Sequence, residues 1–183
     1  MQEQAIGFIE TCSIAAGIVA ADACLKRAGV ELLEARPICP GKFMVLIRGE
    51  MSQVQNALAG GTQAAGESLV DQLFLPRVHP SIFTALALTS LPAEGEALGI
   101  IETVTAAVCI VASDAAAKAA GVNLLEIRLA DGLGGKSFVL MEGSVADVEA
   151  GVAAGVAKVS AAGLLVRKEI IDHLHPAVRE KVL

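Results

Sequence analysis

Two hydrophobic patterns follow one another at the start of the chain. Residues 5–11 form a short apolar run, and Ile14, Ile18, Ala21 and Leu25 then recur at intervals of four, three and four residues. The run has the length of a strand, whereas the spacing of the four later residues marks one face of a helix. The sequence therefore predicts a strand that is followed directly by a helix.

The segments after this helix complete one small unit. Gly29 ends the helix, because glycine is common just past a helix C-terminus. In order, we predict strands over 30–38 and 43–48, a helix from Glu50 past Leu58, a strand over 69–75 and a short helix after Pro80. The order β-α-β-β-α-β is that of the ferredoxin-like, split βαβ arrangement. The predicted fold class is therefore α/β, of the α+β kind.

The chain contains this unit twice. The run AIGFIET at 5–11 returns as ALGIIET at 97–103, and residues 5–36 are identical to residues 97–128 at 19 of 32 positions. The offset between the copies grows from 92 to 94 at the second Gly-Lys pair, so the second copy has two more residues in that loop. Self-similarity of this kind indicates two tandem copies of one structural unit.

The join between the copies lies in residues 88–96, which read LTSLPAEGE. Proline, glycine and charge in close succession are typical of a linker. We therefore predict a first domain over 1–92, closed by the short helix, and a second domain over 93–183. In the second copy, Ser144 and Asp147 have the spacing of a capping box at the start of a helix.

The composition is unusually apolar. Hydrophobic residues make up 54% of the chain, charged residues 19%, and the mean hydropathy is +0.63. A membrane-spanning helix needs about 20 consecutive apolar residues, but charged residues interrupt every long apolar run. The start MQEQAIGFIE also lacks the basic residues and apolar core of a signal peptide. We expect a cytoplasmic protein without a membrane partner, whose excess of alanine and valine serves contacts between subunits.

The net charge argues against one class of partner, and the cysteines differ in their sequence context. The formal net charge is −6, and no basic patch is interleaved with aromatic residues, so we expect no nucleic-acid partner. Structural disulfides are rare in the cytoplasm. Cys12, Cys24 and Cys109 stand in apolar contexts and are interpreted as small core residues. Cys39 differs, because it stands in ICPGKF beside residues that favour a tight turn.

Several motifs together resemble one protein family. They are ALGIIET, ASDAAAKAAGV, LLEIR, FVLMEGSVADVEAGVAAG and LPRVHP. They are similar to motifs of bacterial microcompartment shell proteins, and the resemblance covers 5–80 and 97–176. Two domains in one chain resemble the tandem class, whose trimers imitate the hexameric tiles of single-domain members. The cysteine of ICPGKF makes the chain most similar to the propanediol-utilisation members of that class, which carry an iron–sulfur cluster at the central pore.

The resemblance implies two sets of functional residues. The loop between the second and third strands lines the central pore in this family; it matches Cys39, Pro40, Gly41 and Lys42 in the first copy and Asp131, Gly132, Leu133, Gly134, Gly135 and Lys136 in the second. The tile-edge contacts of the family match Lys26, Lys118, Arg77 and His79. In the second copy His173 stands in place of Arg77, whereas His175 still matches His79.

The function implied by the resemblance is structural and not enzymatic. A homotrimer forms one tile of the microcompartment shell, and one Cys39 from each of three chains holds a 4Fe–4S cluster that passes electrons across the shell. Such clusters usually have four cysteine ligands, so three thiolates leave one iron for another ligand. The implied partners are other shell proteins and redox enzymes inside the compartment.

Two other functions use the same features. In one, the tile pore conducts small molecules and Cys39 lines or gates it without a cluster. In the other, the chain is a ferredoxin-like regulatory protein that senses a ligand between its two copies. A tile changed at Lys26 would stop forming sheets, whereas a sensor would form none.

Three further patterns receive structural interpretations. His79, His173 and His175 have no carboxylate or thiol nearby in the sequence to complete a metal-ligand set. Glu10 and Glu102 occupy equivalent positions, and this duplication indicates a structural role in each copy. The segment DGLGGKS lacks the G-x-x-x-x-G-K spacing of a phosphate-binding loop, so we expect no nucleotide binding there.

Overall fold

The structure is a computed structural model that describes residues 4–93, 95–160 and 163–182. The chain divides after Val78 into two compact units. None of the helices in the described ranges combines the length and the apolar character that crossing a bilayer requires.

The first unit is a four-stranded antiparallel sheet with two helices. Its elements are β1 Gln4–Thr11, α1 Ile14–Arg27, β2 Glu31–Ile38, β3 Lys42–Glu50, α2 Met51–Ala65, a short 3₁₀ turn Gly66–Ser68 and β4 Leu69–Leu75. The strand order is β2-β3-β1-β4, and every neighbouring pair is antiparallel. Both the element order and the sheet are those of the ferredoxin-like arrangement, which confirms the predicted fold class.

Local chemistry explains where α1 begins and how closely it packs. The Ser13 hydroxyl accepts a hydrogen bond from the Ala16 N–H at 3.3 Å, as expected for a residue that caps a helix N-terminus. A Cβ atom on Gly17 would lie 2.4 Å from Cδ1 of Phe43, so only glycine lets the helix approach β3 this closely. This contact fixes the start of β3, immediately after the loop that contains Cys39.

The second unit repeats the same plan. Its elements are α3 Ser81–Leu86, β5 Ala97–Thr103, α4 Ala106–Ala119, β6 Asn123–Leu129, β7 Ser137–Gly143, α5 Val145–Val159, β8 Leu165–Asp172 and α6 Pro176–Val182. The strand order is β6-β7-β5-β8, again antiparallel throughout. The predicted capping box of α5 is confirmed, because the Ser144 hydroxyl accepts a hydrogen bond from the Asp147 N–H at 3.2 Å.

The short helix after Pro80 is present, and it lies in the part of the chain that groups with the second copy. This helix, α3, packs on β6 and α4 and buries Ile82 and Ala85 completely. The chain divides into its two compact units after Val78, whereas the boundary predicted from the sequence lies between residues 92 and 93. The boundary between the sequence repeats therefore differs from the boundary between the compact units. The reason is that the helix after β4 packs on the second sheet.

The predicted linker, residues 88–96, contains no helix or strand in its described part, which excludes residue 94. Its main-chain groups are held locally by the second unit. The Asn123 amide donates a hydrogen bond to the Leu91 carbonyl at 2.9 Å. The segment is therefore attached to the second unit through Leu91.

The predicted apolar face of α1 lies mostly outside the core. Ile14, Ile18 and Leu25 are 46%, 55% and 42% exposed, whereas Ala21 is buried. The buried positions of the helix are occupied by small residues, namely Gly17, Ala20, Ala21 and Cys24. The sheet accepts only a closely packed helix, so the large aliphatic residues of α1 remain on the surface of the single chain.

Candidate functional site

The first-copy loop is a tight turn between β2 and β3. Ile38 pairs with Lys42 across the two strands, which leaves Cys39, Pro40 and Gly41 as the turn. The Cys39–Pro40 peptide bond is cis, and Gly41 has a φ of +67°, a conformation that favours glycine. Pro40 and Gly41 are exposed, and the thiol-bearing Cys39 is half-buried. The turn thus places a partly exposed cysteine at its tip.

Lys42, at the base of the loop, is held by a buried carboxylate. Its Nζ lies 2.5 Å from Oε1 of Glu10, whose side chain is only 5% exposed. The second copy repeats the arrangement, since Lys136 forms an ion pair with Glu102, but there both side chains are more exposed. Each glutamate therefore has a lysine partner at the base of a loop, which agrees with a structural role. Sequence reasoning missed their partners, which the matched duplication of the Gly-Lys pair could have indicated.

The second-copy loop has a different chemistry. It carries no thiol, and its exposed acidic residue is Asp131. The Lys136 N–H donates to the Leu133 carbonyl at 3.2 Å, which closes the loop on itself. Residues with positive φ shape the rest of the loop, namely Ala130, Gly132, Gly134 and Gly135. The two predicted pore loops therefore share a position in the fold but not a set of metal ligands.

The four thiols fall into two classes. Cys24 and Cys109 are completely buried, and this burial raises the pKa of Cys24 to about 11 and that of Cys109 to about 12. Both are therefore inert core residues at neutral pH, as expected. Cys12 is exposed at the end of β1, so its interpretation as a core residue is wrong. The register of the β1–β4 pair shifts just before it, and its N–H donates to the Ser68 carbonyl at 2.9 Å.

The predicted tile-edge lysines both form ion pairs with an aspartate four residues earlier. Lys26 is strongly exposed and lies 2.6 Å from Asp22. Lys118 lies 2.5 Å from Asp114, which is nearly buried. Asp114 is less exposed than Asp22 because the segment of His79 lies against it, and the His79 N–H donates to the other oxygen of Asp114 at 2.8 Å. The structure therefore brings Lys118, Asp114 and His79 together, and their role at a tile edge stays a prediction.

The residues after the last strand of each copy share a backbone conformation. Arg77 and His173 have φ values of +52° and +54°, and both are exposed. This agreement supports the sequence correspondence between the two positions, although their side chains differ.

The histidine rings take part in local hydrogen bonds. Nδ1 of His79 lies 2.7 Å from the Ser81 hydroxyl, and Nδ1 of His175 accepts the Ala177 N–H at 3.2 Å. In the part of the chain that the structure describes, no three or more His, Cys, Asp or Glu residues are grouped so that they could hold a metal ion. A metal site built from Cys39 therefore needs thiols from other chains.

One buried carboxylate was not anticipated from the sequence. Glu142 accepts hydrogen bonds from the Ala93 N–H, the Gly95 N–H and the Asn123 amide, and it forms an ion pair with Arg179 of α6. Burial by itself raises the pKa of Glu142, but these donors outweigh it and lower the pKa below its usual value. Through these hydrogen bonds and this ion pair, Glu142 connects the linker and the C-terminal helix to the second sheet. The first copy has Arg48 at the equivalent position. This difference between the copies could have indicated that Glu142 has a particular role.

Comparisons with known proteins agree with this architecture. A model of the BMC domain matches the chain twice, at residues 5–78 and 97–174. The chain is 42% identical over 175 residues to the bacterial microcompartment shell protein PduT of Citrobacter freundii, covering 96% of this chain and 95% of that protein. It is also 36% identical over 85 residues to the bacterial microcompartment shell protein PduA of Citrobacter freundii, covering 45% of this chain and 90% of PduA.

A solved structure has the same fold over nearly the whole length. It is the crystal structure of a microcompartment protein from Desulfitobacterium hafniense DCB, with a TM-score of 0.93 and 48% sequence identity over 97% of this chain and 98% of that one. Both copies of the repeat, their ferredoxin-like sheets and these similarities together show that the chain belongs to the BMC-domain family of bacterial microcompartment shell proteins.

Proposed function

We propose that the chain is a structural tile of a microcompartment shell, and that a trimer of it holds a 4Fe–4S cluster at its central pore. The observation that carries the proposal is the position of Cys39, a partly exposed cysteine at the tip of the loop between β2 and β3. Similarity to PduT over 96% of the chain supports the tile and its place in a shell. The tile itself is structural and has no catalytic turnover.

The residues around Cys39 fit a cluster that is shared between chains. One chain supplies one thiol, so three chains supply three of the four cysteine ligands that such clusters usually have. Gly41 leaves open space beside the thiol, because nothing lies within 4 Å of a Cβ placed on it. When bound, an iron–sulfur cluster supplies one-electron transfer, which across a shell would connect redox enzymes inside with carriers outside.

Lys42 has a positioning role in this proposal. Because its Nζ is paired with Glu10 at 2.5 Å, its charge is already neutralised locally. The pair fixes the base of the loop and so keeps the thiol of Cys39 at the turn.

A second candidate function is a pore that conducts small molecules without a cluster. The observation that favours it is the second-copy loop, which is exposed, rich in glycine and without a thiol. In a trimer, half of the pore loops would then carry Asp131 in place of a metal ligand.

The deciding experiment measures iron and acid-labile sulfide in protein purified without oxygen. We expect about four irons per three chains, and their loss in Cys39→Ser. Cys12→Ser is the matched control, because Cys12 is the other accessible thiol and should leave the iron content unchanged. A trimer without iron, even after reconstitution, would overturn the cluster and favour the conducting pore.

The tile has its own test, which is independent of iron. We expect the purified protein to have three times the 18.7 kDa mass of the chain and to form flat sheets in electron micrographs. Lys26→Ala should abolish the sheets and leave the trimer intact. A wild-type protein that forms no sheets under any condition would contradict the tile.

A further inference from the structure

The second sheet has one face that points away from its long helices. Met141 of β7 lies on the helix side, because a Cβ placed on Gly151 of α5 would lie 3.5 Å from its sulfur. Side chains alternate between the two faces along a strand. Leu140 and Phe138 of β7 therefore lie on the opposite face, which we name the outer face of the second sheet.

An ion pair of β6 stands on this outer face. Glu126 pairs with Leu140 across the two strands, and Arg128 pairs with Phe138. Nη2 of Arg128 lies 2.5 Å from Oε1 of Glu126, whose side chain is only 14% exposed. The guanidinium of Arg128 also lies over the Phe138 ring, 5.4 Å from its centroid. A largely buried carboxylate therefore stands beside an apolar surface.

A cavity with two lobes lies on this ion pair. We name it the α6 cavity, because both lobes are lined by the last turn of α6 as well as by Glu126 and Arg128. The sheet lobe, of about 450 Å³, extends over Phe138 and Leu140. The linker lobe, of about 420 Å³, extends to Ser90 and other residues of the linker. Volumes of this size are typical of sites for small molecules.

Two buried oxygens beside the linker lobe make no hydrogen bond. In the part of the chain that the structure describes, the buried side-chain nitrogens and oxygens without a hydrogen-bond partner are Oγ of Ser90 and Oε1 of Glu126. The ion pair with Arg128 offsets the charge of Glu126, but it lacks the geometry of a hydrogen bond. Buried polar atoms normally have a partner, so a ligand in this lobe would supply what both atoms lack.

The first copy contains the same pair of residues in a different state. Glu34 and Arg36 are the equivalents of Glu126 and Arg128, and Nε of Arg36 donates a hydrogen bond to Oε2 of Glu34 at 2.6 Å. The Glu34 side chain is 29% exposed, so water reaches it more easily. The missing hydrogen bond of Glu126 is therefore a property of the α6 cavity and not of the repeat.

The charges that line the α6 cavity are balanced. Besides the pair on β6, Glu102 forms an ion pair with Lys136. Nζ of Lys181 lies 3.8 Å from Oε1 of Glu180. A charged ligand would lose hydration on entering the cavity without finding an unpaired charge of the opposite sign, which is unfavourable. The cavity therefore fits a neutral ligand.

We propose that the α6 cavity binds a small neutral alcohol with an apolar body. The hydroxyl of the ligand donates to Oε1 of Glu126, and its body packs in the sheet lobe against Phe138 and Leu140. A hydroxyl group suits the linker lobe because it both donates and accepts, so it can also bond to the Ser90 hydroxyl. The site lies within residues 79–182, and the inference does not depend on the proposed cluster or trimer.

The test compares benzyl alcohol with benzyl methyl ether, which keeps the ring and the oxygen but has no hydroxyl proton. Methyl NMR spectra of the full chain follow the signals of Leu125, Leu140 and Val182, which line the cavity, during each titration. We expect benzyl alcohol to shift these signals. It should bind about tenfold more tightly than the ether, because a hydrogen bond to a charged acceptor contributes at least this much.

Two variants test the polar contacts. Glu126→Gln keeps the shape of the side chain but removes its charge, and a charged acceptor forms about twice as strong a hydrogen bond as a neutral one. We therefore expect it to weaken the binding of benzyl alcohol about fivefold and to leave that of the ether unchanged. Ser90→Ala should act in the same direction. Glu34→Gln, at the equivalent position of the first copy, is the matched control and should change neither affinity.

Three results would overturn the inference. Equal affinities for the alcohol and the ether would show an apolar hollow without polar recognition. Equal losses in Glu126→Gln and Glu34→Gln would show that the alcohol binds elsewhere. Unchanged methyl signals up to the solubility limit of benzyl alcohol would show that water alone satisfies Ser90 and Glu126. Circular dichroism checks that every variant is folded, and none of these results bears on iron content or on sheet formation.

Discussion

The ion pair at the base of the Cys39 loop offers a quantitative prediction. Lys42→Met removes the cation and leaves Glu10 without its partner, and the Glu10 side chain is only 5% exposed. Removing one partner of a fully buried pair costs about 3–5 kcal/mol. The Lys42 side chain is 31% exposed, so water partly replaces it, and we expect a loss of about 2 kcal/mol in the free energy of unfolding.

The second copy contains a matched control for this change. Lys136→Met removes the equivalent lysine from Glu102, but these side chains are 48% and 29% exposed. Pairs with this much exposure contribute about 0–1 kcal/mol, so Lys136→Met should cost clearly less than Lys42→Met. The comparison tests burial of the ion pair, since the residue types and their positions in the repeat are the same.

Urea unfolding followed by far-ultraviolet circular dichroism measures both variants, because the chain has no Trp and no Tyr for fluorescence. The double variant Glu10→Gln/Lys42→Met removes both charges and should recover most of the loss. Equal losses for the two lysine variants would refute the reasoning that the buried carboxylate decides the cost. The reasoning would also be refuted if the free energy of unfolding of Lys42→Met lay within about 0.5 kcal/mol of the wild-type value, which is the range of ordinary surface changes.

Three further changes test other parts of the structure. Gly61→Ala should lower the free energy of unfolding in urea by about 1–3 kcal/mol, because the added Cβ would lie 2.3 Å from Sγ of Cys24. Gly60→Ala is the control and should be nearly neutral, because its added Cβ has its nearest contact at 3.1 Å. Ellman's reagent should modify two thiols per chain in native cluster-free protein. It should modify Cys24 and Cys109 only in urea, since burial raises the pKa of both thiols. Rapid reaction of all four thiols would contradict the burial of these two. The pKa of Glu142 is lowered in the fold, so its contribution to stability is present above its ordinary pKa of about 4.3 and is lost as the pH falls below it. The difference between the unfolding midpoints at pH 7 and pH 3.5 should therefore be smaller in Glu142→Gln than in the wild type, and an unchanged difference would contradict this role.

The division of the fold into elements could be read almost entirely from the sequence. Every strand and helix predicted in the first copy is present within a few residues, because the apolar runs and turn residues act locally. The repeat then extended the same assignment to the second copy. The position of Cys39 at a turn was predictable for the same reason, since Pro40 and Gly41 restrict the backbone beside it.

The environment of each side chain was far less predictable. Cys12 and Cys109 both stand in apolar sequence, yet one is exposed and the other completely buried. The duplicated Glu10 was recognised as structural, but its pairing with Lys42 joins residues that are far apart in the chain. Such contacts depend on sheet register, which single-sequence patterns do not specify.

By itself, the sequence determined the secondary structure, the tandem repeat and the family resemblance of this protein, since each depends on the order and spacing of residues along the chain. The tertiary structure alone decided which apolar surfaces are covered. Ile18 and Ile110 have the same residue type and equivalent positions, but the second is completely buried and the first is exposed. Burial depends on which segments pack against a surface in space, and α3, the helix after β4, packs on β6 and α4 of the second copy.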